Sequence, residues 1–357
     1  MFAYVGFFLY LCGAFCCMIK DRLSNIEVLR IIAISMVVML HFNAHCLHPG
    51  LLLSRSTELS WLTIEGNLIE SLCIAAVNVF VLISGYFSIK LSVRSVLNLY
   101  IRCLIIGLIT YLAYVLISGE AIGLSVLAGR LLAFTHNKWW FVISYLGLMA
   151  ISPILNAGCE KMEKKTFLYV VLLFSIVIMY FGWWRYQEQT YGGYSLIHFI
   201  YLYILARYIR LHISNDFISR YRWLWLCLFF FICIGLTLMP FLISHAIYVY
   251  DNPLVIASAV CILLFFLSIP FQNRFINTAA ASVFSAYLIQ ESPFFGHKWL
   301  YPYCGDLIAN TSHGGGAMLF VVFTIATVVV AIIIDRICVM PVIRWANILI
   351  EKYTCKK

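Results

Sequence analysis

Apolar residues run along this chain in long blocks, each broken off by a short cluster of charged and polar positions. Ten blocks stand out, at 28–47, 67–88, 97–117, 139–156, 167–184, 194–211, 223–243, 253–270, 279–296 and 317–340. A helix rises about 1.5 Å per residue, so each block is near the length that crosses about 30 Å of hydrocarbon. None shows the alternation of a membrane barrel, and an isolated strand leaves its backbone unpaired in lipid. The pattern predicts an all-α, polytopic integral membrane protein of about ten transmembrane helices. A further apolar run, MFAYVGFFLYLCGAFCCMI (1–19), lacks the basic head and small-residue cleavage site of a signal peptide. It is either an eleventh helix or an upstream misreading with translation starting at Met18; the polar, basic MIKDRLSN favours Met18. The membrane domain then occupies 20–357. The late segment 297–316, with its triple glycine, reads as a mobile linker.

Composition excludes the soluble alternatives. Of 357 residues, 64% are hydrophobic and 11% charged, whereas a soluble domain carries about 25% charged residues. So much apolar surface cannot be hidden in a water-soluble fold, nor does it suit a disordered chain. The net charge of +9 would raise nucleic-acid binding in a soluble protein; here it sets topology, and no nucleic-acid partner is expected. With the segment before the first block placed inside, inner segments hold fifteen Lys and Arg. The outer loops hold five, Arg55, Arg130, Lys138, Arg185 and Lys298. That asymmetry puts both ends of the ten-helix unit in the cytoplasm. The 13 cysteines sit mostly within apolar blocks without CxxC or zinc spacing, which supports neither a disulfide framework nor a metal site. Phosphate-cradling, GxSxG, HExxH and dinucleotide motifs are missing too.

Ionisable residues inside a span are costly, and the first block carries Glu27, Arg30 and His41. Arg30 and His41 are eleven residues apart, close to three helical turns, so they share one face about 16 Å apart along the axis. That span is comparable to the reach of a phosphopantetheine arm: an anionic donor gripped at Arg30 could bring its thioester to His41. Glu27 lies one turn before Arg30 and can pair with it. The plainer alternative is that Glu27 and Arg30 snorkel to the inner interface while His41, His45 and His48 are interfacial. His41 and His45 have metal-ligand spacing, but no carboxylate accompanies them.

Four segments resemble the integral-membrane acyltransferase 3 family in the family's order. They are the R-x10-H of Arg30 and His41, VNVFVLISGYFSIK (77–90), WWFVISYLGLMAISPILN (139–156) and SVFSAYLIQESP (282–293). The resemblance covers about residues 18–350, and the wording around Asn25, Ser84–Gly85–Tyr86 and Leu288–Ile289–Gln290 looks most like the branch that O-acetylates bacterial surface polysaccharides. It implies a multi-pass enzyme of the bacterial inner membrane. Its acyl donor would be cytoplasmic acetyl-CoA, and its acceptor a glycan, either a surface polysaccharide or a lipid-linked precursor. It gives His41 the central catalytic role, as general base toward a sugar hydroxyl or as transient acyl carrier.

Supporting roles follow partly from the same resemblance, for Arg94, Arg102, Glu291 and Gln290, and partly from position along the spans. Arg30, Arg94 and Arg102, with Glu27, fall at the donor end, where guanidinium forks suit CoA phosphates; Arg94 and Arg102 also serve as topogenic charges. Glu291 adjoins the late motif on the outer half with His41, where a carboxylate can orient an imidazole. Trp139 and Trp140, Glu70, and Gln290, which stands where many relatives carry His, are candidates for holding the acceptor. The two tryptophans equally suit an aromatic belt at the membrane surface. A different class of function, a glycan or lipid-linked sugar flippase, would also use a basic inner face, yet it has no need of a His three turns from an Arg, and the chain lacks the matched halves of many transporters.

Overall fold

The computed structural model describes residues 23–47, 60–136, 139–188, 190–243 and 245–354; the 1–19 run and Met18 lie outside them. Of the described residues 83% are helical and none is in a strand, as backbone saturation in lipid demands. We number the main helices α1 Ser24–Phe42, α2 Trp61–Cys73, α3 Ala76–Phe87, α4 Val93–Ser118, α5 Trp140–Lys161, α6 Lys164–Ile176 and α7 Leu196–His212. They continue as α8 Arg222–Leu242, α9 Pro253–Leu267, α10 Arg274–Ala280, α11 Phe284–Gln290, α12 Tyr301–Ala309, α13 His313–Ile334 and α14 Met340–Thr354.

Seven helical stretches among the described residues are long and apolar enough to cross a membrane, and seven of the ten expected blocks fall on them. α2 and α3 together make one, Trp61–Phe87, and α13 runs on toward α14 as Gly314–Lys352. The other three blocks are shorter or broken. Block 194–211 is the 17-residue α7, and 253–270 is the 15-residue α9. Block 279–296 is divided between α10 and the seven-residue α11, with a turn at 281–283 between them. Side-chain caps mark where these helices start. Ser60 accepts from the Thr63 N–H, Ser92 and Ser95 form a capping box, and Asn252 caps α9 ahead of Pro253 at its first position.

The segment 297–316 departs from the linker expectation. A wide turn Phe295–Leu300 feeds α12, and the triple glycine forms the first turn of α13, capped by the Ser312 hydroxyl on the Gly315 N–H. Glycine weakens a helix interior but is tolerated in a first turn, whose N–H groups have no partner within the helix.

Helix α1 lies at the centre, touching α2, α3, α9, α10, α11 and α13. Its start is pinned where the Ser24 hydroxyl donates to Asn277 Oδ1 at 2.7 Å and accepts from the Asn273 N–H at 2.7 Å. Enclosure falls outward: 72% of the most apolar window of Trp61–Phe87 is buried, against 22% for Arg222–Leu242, whose Phe231 and Ile234 face outward as lipid-exposed side chains do. Two of the resembling segments act mainly as braces. Gly85 lets α3 approach α7 so closely that a Cβ there would meet the Tyr203 carbonyl at 2.7 Å. Tyr203 in turn donates to Asn156 Oδ1 at 2.7 Å and accepts from the Ile89 N–H at 2.9 Å, tying α3, α5 and α7 together.

Candidate active site

His41 occupies the last turn of α1, where the helix widens into the turn Asn43–Leu47. Such widened turns recur at functional sites. α11, packed on α1, carries Gln290 to the same point: its amide lies 2.9 Å from His41 Nδ1. The next residue, Glu291, ends α11 and places Oε1 3.4 Å from the same nitrogen. The backbone then folds back sharply. The Ser292 hydroxyl accepts from the Gly296 N–H at 2.9 Å, and Gly296 lies so close against the Gln290 carbonyl that no side chain fits there. This reversal brings His297 Nε2 to 3.4 Å from Glu291 Oε2 and lets Tyr301 donate to Glu291 Oε1 at 2.8 Å. His45, one turn beyond His41, stacks on Tyr301 at 4.5 Å and meets His297 edge-on at 5.6 Å. The Glu291 contact raises the His297 imidazole above its ordinary value.

The site therefore joins His41, Gln290 and Glu291 with His297, Tyr301 and His45. The sequence reading singled out the first three and missed His297 and Tyr301, which belong to the segment taken for a linker. The available signal was their spacing, six and ten residues after Glu291. Among the described residues no cluster of three or more His, Cys, Asp or Glu is disposed to hold a metal ion.

Two openings lie near His41, which lines the first, while His45, one turn on, lines the second. The first is an apolar slot floored by Ile34, Val37, Leu40 and His41, successive positions on one face of α1 that begin one turn beyond Arg30. Its walls are the α2–α3 junction, α5 and α11, including Phe80, Trp140, Phe141 and Tyr287. Its free volume is about 30 Å³, room for a few water molecules at most. The second is a wide cleft of about 490 Å³ lined by His45, His297, Tyr301 and Asp306.

The remaining sequence candidates are placed as follows. Arg30 is half-exposed, its Nε 3.9 Å from Glu27 Oε1, and Glu27 is buried. Arg94 pairs with Glu351 of α14 at 2.7 Å. Arg102 is held by Asp335, which follows α13: Nε lies 2.8 Å from Oδ1, and a terminal nitrogen donates to the Ala281 carbonyl at 3.1 Å. Glu70 is fully buried on α2, where it accepts from the Asn43 side chain at 2.9 Å, and it lines neither opening. Trp139 is packed inward at 2% exposure, which corrects its reading as a lipid-facing belt residue and removes the open ring face a sugar platform needs. Trp140 is a wall of the slot, against Tyr194 at 4.7 Å and Tyr250 at 5.7 Å.

A family model described as an acyltransferase domain matches residues 23–336. The chain belongs to the acyltransferase 3 family. The match runs from the residue before α1 through Arg336 and so takes in the R-x10-H pair, both openings and the α11 turn. This acyltransferase is a multi-pass membrane protein, and its membership favours group transfer over the flippase alternative. No curated protein and no solved structure matches the chain.

Proposed function

We propose that this acyltransferase moves an acetyl group from cytoplasmic acetyl-CoA to a hydroxyl of a bacterial surface polysaccharide or its lipid-linked precursor. It would do so from the inner membrane, with both ends of the ten-helix unit in the cytoplasm. One observation carries the reading: His41 lines the apolar slot three turns from Arg30, with Gln290 and Glu291 on its Nδ1, and the wide cleft begins one turn on at His45. Acetyl, rather than a longer acyl group, and the glycan acceptor are supported by the resemblance of the four sequence segments.

The arrangement suits a general base. An Nδ1–H directed at the Glu291 carboxylate leaves the Nε2 lone pair free to take a proton. The Gln290 oxygen has no other partner, and rotating its amide half a turn presents that oxygen to the same N–H. As the acceptor hydroxyl attacks the thioester carbonyl, a C–O bond forms and its proton passes to His41. The C–S bond breaks, and the proton is returned to the CoA sulfur. Glu291 stabilises the imidazolium between those two events. At the donor end, half-exposed Arg30 presents its guanidinium to CoA phosphates, and half-exposed Arg94 would do so by exchanging Glu351 for a phosphate. Arg102 is already engaged by a buried carboxylate and acts as a brace. The donor arm does not fit the slot as it stands, since its room is that of a few waters at most; Leu40, Phe80 and Phe141 must part to admit a thioester.

The test supplies radiolabelled acetyl-CoA to membranes of a host that makes the candidate glycan, expressing the wild type or His41→Ala at equal levels. Wild type should place base-labile label on the glycan, and His41→Ala should lower the rate by about 10² to 10⁴-fold. Unlabelled glycan crossing the membrane only when the chain is present would overturn the enzyme reading.

A further inference from the structure

The 490 Å³ cleft beyond His41 has the size of a small-ligand site. We infer that it seats the acceptor, and that the ring it takes is a neutral sugar rather than one bearing a phosphate or carboxylate. This inference rests on the acyl-transfer reading given above.

Three features support it. The cleft is coupled to the reaction centre, because Tyr301 both lines it and donates to Glu291, which touches His41. Its polar groups are open: Asp306 is exposed, and its carboxylate has no hydrogen-bond or ion-pair partner among the described residues. His45 and His297 are likewise exposed and present imidazole rings in an edge-to-face pair, with Tyr301 behind them. Ring faces pack against the C–H face of a pyranose, while a carboxylate accepts two vicinal hydroxyls. Charge gives the specificity. Among the described residues the lining holds Asp306 and no Lys or Arg. The nearby Lys298 turns away onto the Tyr114 and Phe294 rings at 5.5 and 4.8 Å. When both imidazoles are neutral, an anionic ring faces Asp306 with no permanent cation among the described lining residues to offset the repulsion. Trp139 and Trp140 are thereby relieved of the acceptor role.

The experiment uses the full chain in lipid nanodiscs with radiolabelled acetyl-CoA and two soluble probes, methyl β-D-galactopyranoside and the corresponding methyl galacturonoside. Two variants are compared with wild type: Ala309→Trp, which fills the cleft from the exposed end of α12, and Asp306→Asn, which keeps its shape. Monodisperse elution shows which variants are folded, and either one suffices. Wild type should acetylate the neutral glycoside at least about tenfold faster than the acidic one, a difference of about 1.4 kcal/mol. Ala309→Trp should raise KM for the neutral glycoside at least about tenfold with KM for acetyl-CoA unchanged. Asp306→Asn should narrow the neutral-to-acidic ratio. If labelling of the host glycan depends on His41 but neither glycoside is acetylated, or both variants leave the glycoside KM and the ratio unchanged, the cleft assignment is overturned while the acyl-transfer reading stands. If no His41-dependent labelling of host glycan occurs, the acyl-transfer reading fails and the cleft assignment falls with it.

Discussion

Helix α11 has a carboxylate associated with each end, and the two are treated in opposite ways. Toward its start, Asp335 is fully buried and held by Arg102 at 2.8 Å and by the Ser285 hydroxyl at 2.6 Å. At its end, Glu291 lies 3.4 Å from each of two imidazoles and accepts from Tyr301. A guanidinium does not release its proton, so the Asp335 cluster has one charge state and fixes α4, α11 and the last helices relative to one another. Imidazoles change charge near neutrality, so the Glu291 cluster can store or pass a proton without moving its backbone. The same short helix thus has a static end and a titrating end.

Breaking the static end should cost the most. Asp335→Asn leaves the partly buried Arg102 without a counter-charge, a loss of up to about 3 kcal/mol, read as a lower yield of monodisperse protein and a lower Tm. Unchanged yield and Tm would show that the pair does not brace the fold. At the titrating end, Glu291→Gln keeps shape and removes charge. It should leave Tm near wild type while lowering kcat about 10- to 100-fold with little change in KM for acetyl-CoA, short of the full general-base contribution. A fall in Tm with unchanged kcat would reverse the roles of the two clusters. The smallest effect concerns His297. Because contact with Glu291 raises its folded-state value, the linked stability is fully present below about 6.5 and is lost as pH rises through the raised value. The pair is half-exposed and contributes at most about 1 kcal/mol. Wild-type Tm should therefore fall slightly more than that of His297→Gln as pH rises from about 6 to about 8.

Membrane helices were legible because hydrocarbon imposes one length and one polarity on each span. The Arg30–His41 pair was legible because a single helix fixes the phase between its own residues. Glu291 was singled out through its motif, but its 3.4 Å approach to His41 depends on how α11 packs on α1, and no local pattern carries that information. His297 and Tyr301 were lost for a different reason. The segment 297–316 mixes glycine, polar and aromatic residues, which read as turn chemistry, whereas the reversal at Ser292–Gly296 and the Ser312 cap make it helical. The resembling segments also mixed two kinds of residue. Gly85 and Asn156 hold helices together, Gln290 and Glu291 surround His41, and composition does not separate them.

The narrowness of the slot matters to the cell as well as to the reaction. A continuous file of water past His41 would let protons run down the electrochemical gradient of an energised membrane between turnovers. An apolar constriction of about 30 Å³ disfavours such a file, as dewetted gates do in channels. On the transfer reading proposed above, such a slot would let the enzyme join two compartments chemically without connecting them electrically.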